Sequence, residues 1–200
     1  MPTIEELTKK YDEFYQSDKG KWSVTFLDRL AYDAITTFAQ PEEVLDVGCG
    51  NGHTLDYFRQ RHMPAKFYGL DISSAALELA KSKLPEAEFY LSDITQFTSR
   101  KRWQVIVSLE TIECLIDPDA GLAKIKSLLK KGGIAYIAVP DNLVYSRGEH
   151  NLRPVAIGDK RYEWHLTRKE WETKLIDAGF TIRKAYTNVR PAWRFSWFLE

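Results

Sequence analysis

The chain has 200 residues, with 28 Lys and Arg balanced by 28 Asp and Glu, a pI near 6.9 and 44% hydrophobic residues. This composition fits one soluble globular domain, and the lack of a basic excess disfavours large nucleic acids as partners. Neither a secretory leader nor a membrane-length apolar run is visible, so we expect a cytoplasmic protein. Cys49 and Cys114 lack metal-ligand spacing and predict neither a metal site nor a disulfide framework.

Two helices are predicted ahead of the first strand. A capping box formed by Thr3 and Glu6 begins the first helix, which continues to about Tyr15. The second helix follows a turn at residues 17–20 and is expected to bury a set of apolar residues at helical spacing. That set is Phe26, Leu27, Leu30, Ala34, Ile35 and Phe38.

The segment from Val44 to His53 combines a buried strand, a carboxylate and three alternating glycines. Its apolar start is typical of a strand covered on both faces. The glycines permit positive φ and close approach of backbone N–H groups to a ligand, and helical spacing resumes at Thr54. A strand, a glycine turn and a helix in this order are the first unit of a Rossmann-like sheet and predict a site for a nucleotide-type cofactor.

The glycine spacing distinguishes between cofactors. A dinucleotide fingerprint requires glycine where this chain has His53, and Asp46 would repel a pyrophosphate. A carboxylate there suits the ammonium and sulfonium of S-adenosylmethionine (SAM). The stretch closely resembles motif I of class I SAM-dependent methyltransferases, D/E-x-G-x-G-x-G, at every defined position. The resemblance implies SAM as cofactor and S-adenosyl-L-homocysteine (SAH) as product. It implies cofactor contacts at Asp46, Gly48, Cys49, Gly50 and Gly52.

The second predicted strand, at 66–71, also ends in an acid. A carboxylate at Asp71 can accept two hydrogen bonds from a ribose diol. The alternative is that Asp71 caps the following helix, a role that Ser73 can fill. Ile72, directly after the acid, is predicted to belong to the same cofactor site.

A third strand, at 87–91, is followed by Asp93 and Ile94. In the methyltransferases that the chain resembles, the matching acid contacts the adenine amino group and the next residue packs on the ring. The resemblance therefore implies these roles for Asp93 and Ile94. A solvated turn aspartate is the alternative for Asp93.

The fourth strand, at 103–109, ends at Leu109, where the fold would face the transferring methyl group, so Leu109 is a predicted cofactor contact. The residues that follow resemble the E-x-x-E-H stretch of small-molecule methyltransferases and of a metal-using family that methylates RNA 3′ ends. Cys114 replaces the histidine, which disfavours a metal. Glu110 is a candidate catalytic residue and Glu113 a candidate substrate contact. The favoured alternative is that both glutamates are structural or solvated.

The stretch from Asp141 to Trp164 is irregular and longer than an ordinary connection, which predicts a functional loop or lid. Arg147, Arg153 and Arg161 lie there among aromatic residues and suit an anionic or aromatic small substrate. A solvated basic loop is the alternative.

Two further regions supply candidates. His165 is the best candidate for a base because the ordinary pKa of a histidine side chain lies near neutrality; the alternative is that it only anchors the next helix. Tyr15 and Trp22 are candidate substrate contacts, since in the methyltransferases that the chain resembles a segment ahead of the first strand commonly closes over SAM. Tyr11, Phe14 and Tyr15 also have the spacing of a packed helix face, so core packing is the favoured alternative.

Strands alternate with helices through the first five strands, which predicts a parallel sheet. The predicted strands are 43–47, 66–71, 87–91, 103–109 and 133–139, and the helices lie near 54–62, 74–83 and 119–131. A helix at 168–178 and a hairpin of strands at 180–189 and 193–199 follow.

This pattern resembles the class I methyltransferase fold. The resemblance implies an α/β, Rossmann-like, mostly parallel sheet of seven strands in the order 3-2-1-4-5-7-6, with the last strand antiparallel and helices on both faces. One domain, 1–200, is predicted. Its parts are a helical cap at 1–40, a SAM-binding half at 41–139, and a substrate loop, helix and terminal hairpin at 140–200.

We therefore expect a methyltransferase that transfers a methyl group from SAM to an oxygen or nitrogen of a small molecule. Two alternatives remain, a metal-assisted 2′-O-methyltransferase of RNA ends and a non-catalytic subunit that binds SAM or a partner. The sequence indicates neither the acceptor nor the oligomeric state.

Overall fold

The computed structural model describes residues 2–17, 25–140, 154–157, 161–164, 166–188 and 194–200. Its helices are α1 (Ile4–Gln16), α2 (Phe26–Phe38), α3 (His53–Gln60), α4 (Ser74–Lys83), α5 (Pro118–Leu128) and α6 (Arg168–Asp177), with a 3-10 turn at Ile112–Cys114. Its strands are β1 (Glu43–Val47), β2 (Lys66–Asp71), β3 (Glu88–Leu91), β4 (Trp103–Leu109), β5 (Leu129–Pro140), β6 (Pro154–Ile157), β7 (Arg161–Trp164), β8 (Ile182–Asn188) and β9 (Arg194–Leu199). Within these ranges no helix has the length and apolar character needed to cross a membrane.

Seven strands form one sheet in the order β3-β2-β1-β4-β5-β9-β8, which confirms the predicted topology. Neighbours among the first five strands pair in parallel. β9 is antiparallel to both of its neighbours, with Trp197 opposite Ile137 on β5 and Ala185 on β8. Because β1 to β4 are parallel, the segments that follow them meet at one edge of the sheet.

Helices cover both faces of the sheet, as predicted. On one face, Leu27 and Ile35 of α2 pack with Phe58 of α3 in a buried cluster. On the other, the buried cluster includes Ile125 of α5 and Trp171 of α6. Successive strand side chains point to opposite faces, so the strands contribute alternately to the two clusters. The division of 1–200 into three parts remains a prediction.

The predicted burial of Phe26 and Phe38, at the two ends of α2, is wrong. Phe26 and Phe38 are 47% and 49% exposed, because they are the first and last residues of the helix and lie beyond the sheet-facing stripe. Phe38 instead packs its ring on Phe198, with 4.7 Å between ring centroids. Leu30 is only half-buried. A polar residue, Asp28, takes a fully buried position because it is bonded within the capping box of α2.

The predicted irregular stretch from Asp141 to Trp164 contains regular structure. β6 and β7 form an antiparallel hairpin, with Pro154 opposite Trp164. The indole Nε1 of Trp164 donates a hydrogen bond to the carbonyl of Leu115, at 2.8 Å. This contact joins the hairpin to the segment after β4. Cross-strand pairing and one tertiary hydrogen bond stabilise a hairpin that residue pattern alone did not indicate.

Candidate functional site

A cleft of about 670 Å³, including the part open to solvent, lies at the carboxyl ends of β1 to β4, beneath α1. Ligand sites of this fold class lie at this edge of the sheet, and a space of this size is typical of small-molecule pockets. Its lining among the described residues is Leu7, Tyr11, Tyr15, Val47, Gly48, Leu70, Asp71, Ile72, Ser92, Asp93, Ile94, Glu110, Thr111, Cys114 and Leu115.

The glycine loop after β1 has the backbone conformation that its sequence predicts. Gly48 has φ of 76° and Gly50 has φ of 52°, both in the left-handed region where a Cβ is unfavourable. A Cβ on Gly48 would lie 2.2 Å from Oγ1 of Thr111, and one on Gly50 would lie 2.3 Å from the hydroxyl of Tyr15. The glycines therefore permit close packing of two other segments on the loop.

The sequence predicts that backbone N–H groups of the glycine loop approach a ligand. In the structure, four of these N–H groups donate to other groups of the protein instead. The N–H groups of Gly48 and Cys49 donate to the carbonyl of Leu70, at 2.7 and 3.1 Å. The N–H of Gly50 donates to Oδ2 of Asp71, at 2.8 Å, and that of Gly52 to the carbonyl of Cys49. A phosphate cradle needs such donors to point at the ligand. The N–H groups of Gly48, Cys49, Gly50 and Gly52 are thus bonded within the protein and do not form such a cradle.

Asp46 does not face the cleft, contrary to the prediction. Along β1 its side chain points to the same face as Val44, which packs with α2. Asp46 is 2% exposed. Burial, followed by the nearby charges of Asp28 and Asp71, raises its pKa well above the usual value. The Asp46 side chain therefore lies in the interior and is not part of the cleft lining.

Asp71 is held at the tip of β2 by backbone donors. Oδ1 accepts from the N–H of Ser73, at 2.9 Å, and Oδ2 accepts from Gly50, at 2.8 Å. Burial raises its pKa, although these donors work in the opposite direction. Ser73 caps α4, since its Oγ accepts from the N–H of Ala76 at 3.1 Å, so Asp71 is not the cap. Each oxygen of a carboxylate has two acceptor positions, which leaves capacity for a diol.

Asp93 and Ile94 both line the cleft, together with Ile72. Oδ1 of Asp93 accepts from the N–H and the hydroxyl of Thr95, in the pattern of an aspartate turn. Ile94 is 3% exposed and also belongs to a core cluster. Asp93 is thus a turn residue and a cleft residue at once.

Helix α1 contributes a stripe of side chains to the cleft. Leu7, Tyr11 and Tyr15, spaced by four residues, line it, and neither core cluster of the described residues contains a side chain of α1. The alternative of core packing is therefore wrong for Tyr11 and Tyr15. The neighbouring Cys114, followed by burial, raises the pKa of Tyr11, and burial raises that of Tyr15. Both hydroxyls are neutral donors at pH 7.

Glu110 lies in the cleft in a strained backbone conformation. Its φ is 53°, a left-handed value that is unfavourable for a residue with a Cβ, and its N–H donates to the carbonyl of Ala138 at 2.8 Å. The next residue, Thr111, packs its side chain against Gly48 of the glycine loop. Backbone strain of this kind costs about 1–3 kcal/mol and occurs often at functional sites.

We expect replacement of Glu110 by glycine to raise the free energy of unfolding by about 0.5–1 kcal/mol, because glycine tolerates positive φ. Turnover should fall at the same time, if the carboxylate acts on the acceptor. Glu110→Gln should keep the strain and lose only the charge. Urea unfolding and a methyl-transfer assay measure the two effects.

His62 provides the matched control, since it is exposed and has φ of 57°. His62→Gly should give a similar gain in stability with unchanged turnover. If Glu110→Gly were no more stable than the parent, the backbone at Glu110 would not be strained. If it turned over at the parental rate, the carboxylate would not act on the acceptor.

Other predicted site residues lie away from the cleft lining. Glu113 is 1% exposed, and Leu109 packs against the cluster beneath α2. Cys49 is 2% exposed, and its Sγ would lie 2.7 Å from a Cβ on Gly69 of β2. Gly52 is the N-cap of α3 and has φ of 75°.

Several predicted residues lie outside what the structure describes. They are Trp22, Arg147, Arg153 and His165. For Arg161 the structure describes the strand position on β7 alone. Their roles remain predictions.

The sequence interpretation gave no site role to seven lining residues, which are Leu7, Val47, Leu70, Ser92, Thr111, Cys114 and Leu115. Leu7 could have been found, because it lies at i−4 from Tyr11 and i−8 from Tyr15. Ser92, Thr111 and Leu115 carry no local signal. Among the residues described, no group of three or more His, Cys, Asp and Glu could hold a metal ion.

Comparison with known proteins agrees with this geometry. A family model described as "Methyltransferase domain" matches residues 13–185, which is most of the chain. The chain belongs to this methyltransferase family. Together with the sheet order, this match confirms the predicted class I type, and SAM is the cofactor of the class.

Among curated relatives, the chain is similar to two trans-aconitate 2-methyltransferases. It is 30% identical to the Yersinia pestis (strain Pestoides F) protein over 173 residues, which are 86% of this chain and 61% of the relative. It is 30% identical to the Enterobacter sp. (strain 638) protein over 129 residues, 64% of this chain and 49% of the relative. The chain thus spans about half the length of the curated relatives it matches.

A solved methyltransferase structure shares the fold. The 1,6-didemethyltoxoflavin-N1-methyltransferase of Burkholderia thailandensis, with 1,6-didemethyltoxoflavin and SAH bound, superposes with a TM-score of 0.80. The match covers 100% of this chain and 90% of that one at 19% identity. At that identity the likeness shows the fold alone.

Proposed function

We propose that this methyltransferase binds SAM in the cleft and transfers its methyl group to an oxygen or nitrogen of a small molecule. The observation that carries the proposal is the charge of the cleft. Its described lining contains the acids Asp71, Asp93 and Glu110 and no lysine or arginine. Such a surface favours a cation and disfavours a pyrophosphate.

The buried acids add to this argument. Burial raises the pKa values of Asp46 and Asp71, so their ionised forms lack full compensation within the protein. A sulfonium and an ammonium nearby would favour those ionised forms and gain from their field. SAH lacks the sulfonium charge, so the same acids favour SAM over the product.

Bound SAM would supply an activated methyl group on a thioether leaving group. In this proposal Asp71 accepts from the ribose diol, and Asp93 and Ile94 bind the adenine. Tyr11 and Tyr15 exclude water from the cleft, which strengthens electrostatic interactions there. Glu110, at the end of β4, orients the acceptor or accepts its proton.

The acceptor in this proposal is anionic or aromatic. The matched relatives are named for trans-aconitate, a carboxylate, and the basic residues Arg147, Arg153 and Arg161 suit such a group. The cytoplasm is the proposed location, because Cys49 and Cys114 are not joined in a disulfide, as is usual in a reducing compartment.

Isothermal titration with SAM, SAH and NAD tests the cofactor assignment. We expect micromolar binding of SAM and SAH and none of NAD. A screen of metabolite pools for SAM consumption then identifies the acceptor. Binding of NAD without SAH would overturn the proposal, whereas binding of SAH without turnover on any pool would favour a non-catalytic subunit.

We also expect the segment from Asp141 to His165 to select the acceptor without affecting the cofactor. Arg153→Ala and Arg161→Ala should raise KM for an anionic acceptor with little change in SAH affinity, and His165→Ala should lower kcat if a proton must be removed. Arg102→Ala is the control, since Arg102 precedes β4 at the opposite edge of the sheet. If all three variants stay within about twofold of the parent, below roughly 0.5 kcal/mol, the segment does not bind the acceptor.

A further inference from the structure

Asp12 of α1 contacts the N-terminus of α4. Its Oδ1 accepts from Oγ of Ser73, at 2.6 Å, and from the N–H of Ala75, at 3.0 Å. The hydroxyl of Ser74 lies 3.4 Å from both carboxylate oxygens. A carboxylate at a helix N-terminus is favoured by the free N–H groups and by the helix dipole. Asp12 therefore caps α4 from a different helix.

Ser73 connects this cap to the predicted ribose acceptor. Its Oγ donates to Asp12 and accepts from the N–H of Ala76, at 3.1 Å. Its backbone N–H donates to Oδ1 of Asp71, at 2.9 Å. A continuous chain of hydrogen bonds thus runs from α1 through Ser73 to the carboxylate of Asp71.

The same helix reaches Asp71 from its other side. The hydroxyl of Tyr15 packs on Gly50, and the N–H of Gly50 donates to Oδ2 of Asp71. Both oxygens of Asp71 are therefore bonded to backbone that α1 contacts. Burial would raise the pKa of Asp12, but hydrogen bonds from Ser73, Ala75 and Ser74 outweigh it and hold that pKa low, so the Asp12 carboxylate is ionised at neutral pH.

We propose that Asp12 is a positioning residue that couples the placement of α1 over the cleft to the orientation of Asp71, through Ser73. The effect on cofactor binding rests on the proposed function, in which Asp71 holds the ribose. Coupling of this kind is reciprocal: if α1 orders Asp71, then Asp71 orders α1. Reciprocity permits a test in the protein without any ligand.

The first experiment is a double-mutant cycle. SAH affinity is measured by isothermal titration in the parent, in Asp12→Asn, in Asp71→Asn and in the variant that carries both substitutions. We expect Asp12→Asn to weaken SAH binding about tenfold in the parent and less than about twofold in the Asp71→Asn background. Glu13→Gln, an exposed neighbour on α1, should have no effect. Equal losses in both backgrounds, or none in either, would overturn the proposal.

Ser73→Ala replaces Asp71→Asn if the latter fails to fold. Ser73→Ala should weaken SAH binding as much as Asp12→Asn does. The double variant that combines Asp12→Asn with Ser73→Ala should bind SAH no more weakly than either single variant. Additive losses would contradict coupling through Ser73.

The second experiment separates this proposal from the cofactor assignment. Hydrogen exchange of the α1 amides is measured without ligand in the parent, Asp12→Asn and Asp71→Asn, or Ser73→Ala where Asp71→Asn does not fold. We expect faster exchange in α1 for each substitution, by about tenfold, and parental exchange in Glu13→Gln. Parental α1 exchange in the Asp71 or Ser73 variant would overturn the coupling even if SAH binds. Absence of SAH binding in the parent would overturn the proposed function alone.

Discussion

Gly50→Val is expected to abolish detectable SAH binding while the sheet remains folded. Valine is strongly disfavoured at the φ of 52° that Gly50 has, and its Cβ would lie 2.3 Å from the hydroxyl of Tyr15. Relief of that contact requires the Tyr15 side chain to leave its position in the cleft or the loop to shift, and a shift of the loop disturbs the N–H donor to Asp71. We expect a loss of at least about 100-fold, or 2.7 kcal/mol, by isothermal titration.

Gly132→Val is the matched control for the conformational cost. Gly132 has φ of 73°, and a Cβ there would meet nothing within 4 Å. This variant should lose stability in urea unfolding because valine is strained at positive φ, but it should bind SAH like the parent. Parental SAH affinity in Gly50→Val would contradict the placement of the cofactor against the loop.

Asp71→Ala should weaken SAH binding by about 1.5–4 kcal/mol, roughly 10- to 1000-fold, because a charged acceptor for two hydroxyls is lost. The loss should be smaller with a 2′-deoxy analogue of SAH, since one of the two hydrogen bonds is then already absent. Comparison of the two ligands by titration separates ribose binding from a general disturbance of the site.

Asp117→Ala is the control for loss of a backbone-bonded aspartate. Asp117 caps α5 by accepting from the N–H of Ala120, at 2.9 Å, and does not line the cleft. Its replacement should cost about 1 kcal/mol of stability with unchanged SAH affinity. If Asp71→Ala behaves in the same way, Asp71 is a structural residue and the ribose acceptor lies elsewhere.

The sequence was informative where chemistry is local. Gly48 and Gly50 are conformational requirements, and the capping boxes at Thr3 and Thr167 involve residues three apart, so each can be identified without tertiary knowledge. The alternation of strands and helices indicated the parallel sheet, and resemblance to a known family supplied the strand order.

The sequence by itself thus determined the strands of the main sheet, the helices, the glycine loop and the acids at the strand tips, but not the hairpin of β6 and β7. The tertiary structure decided which of these groups meet. Asp46 faces α2 because side chains alternate along β1, and the loop N–H groups are bonded to Leu70 and Asp71 rather than offered to a ligand. The position of Tyr11 and Tyr15 over the cleft depends on where α1 docks, which Asp12 and the N-terminus of α4 help to define across about sixty residues of chain. Contacts between distant segments arise from packing and from hydrogen bonds formed only in the folded chain, so the pattern within one segment does not reveal them.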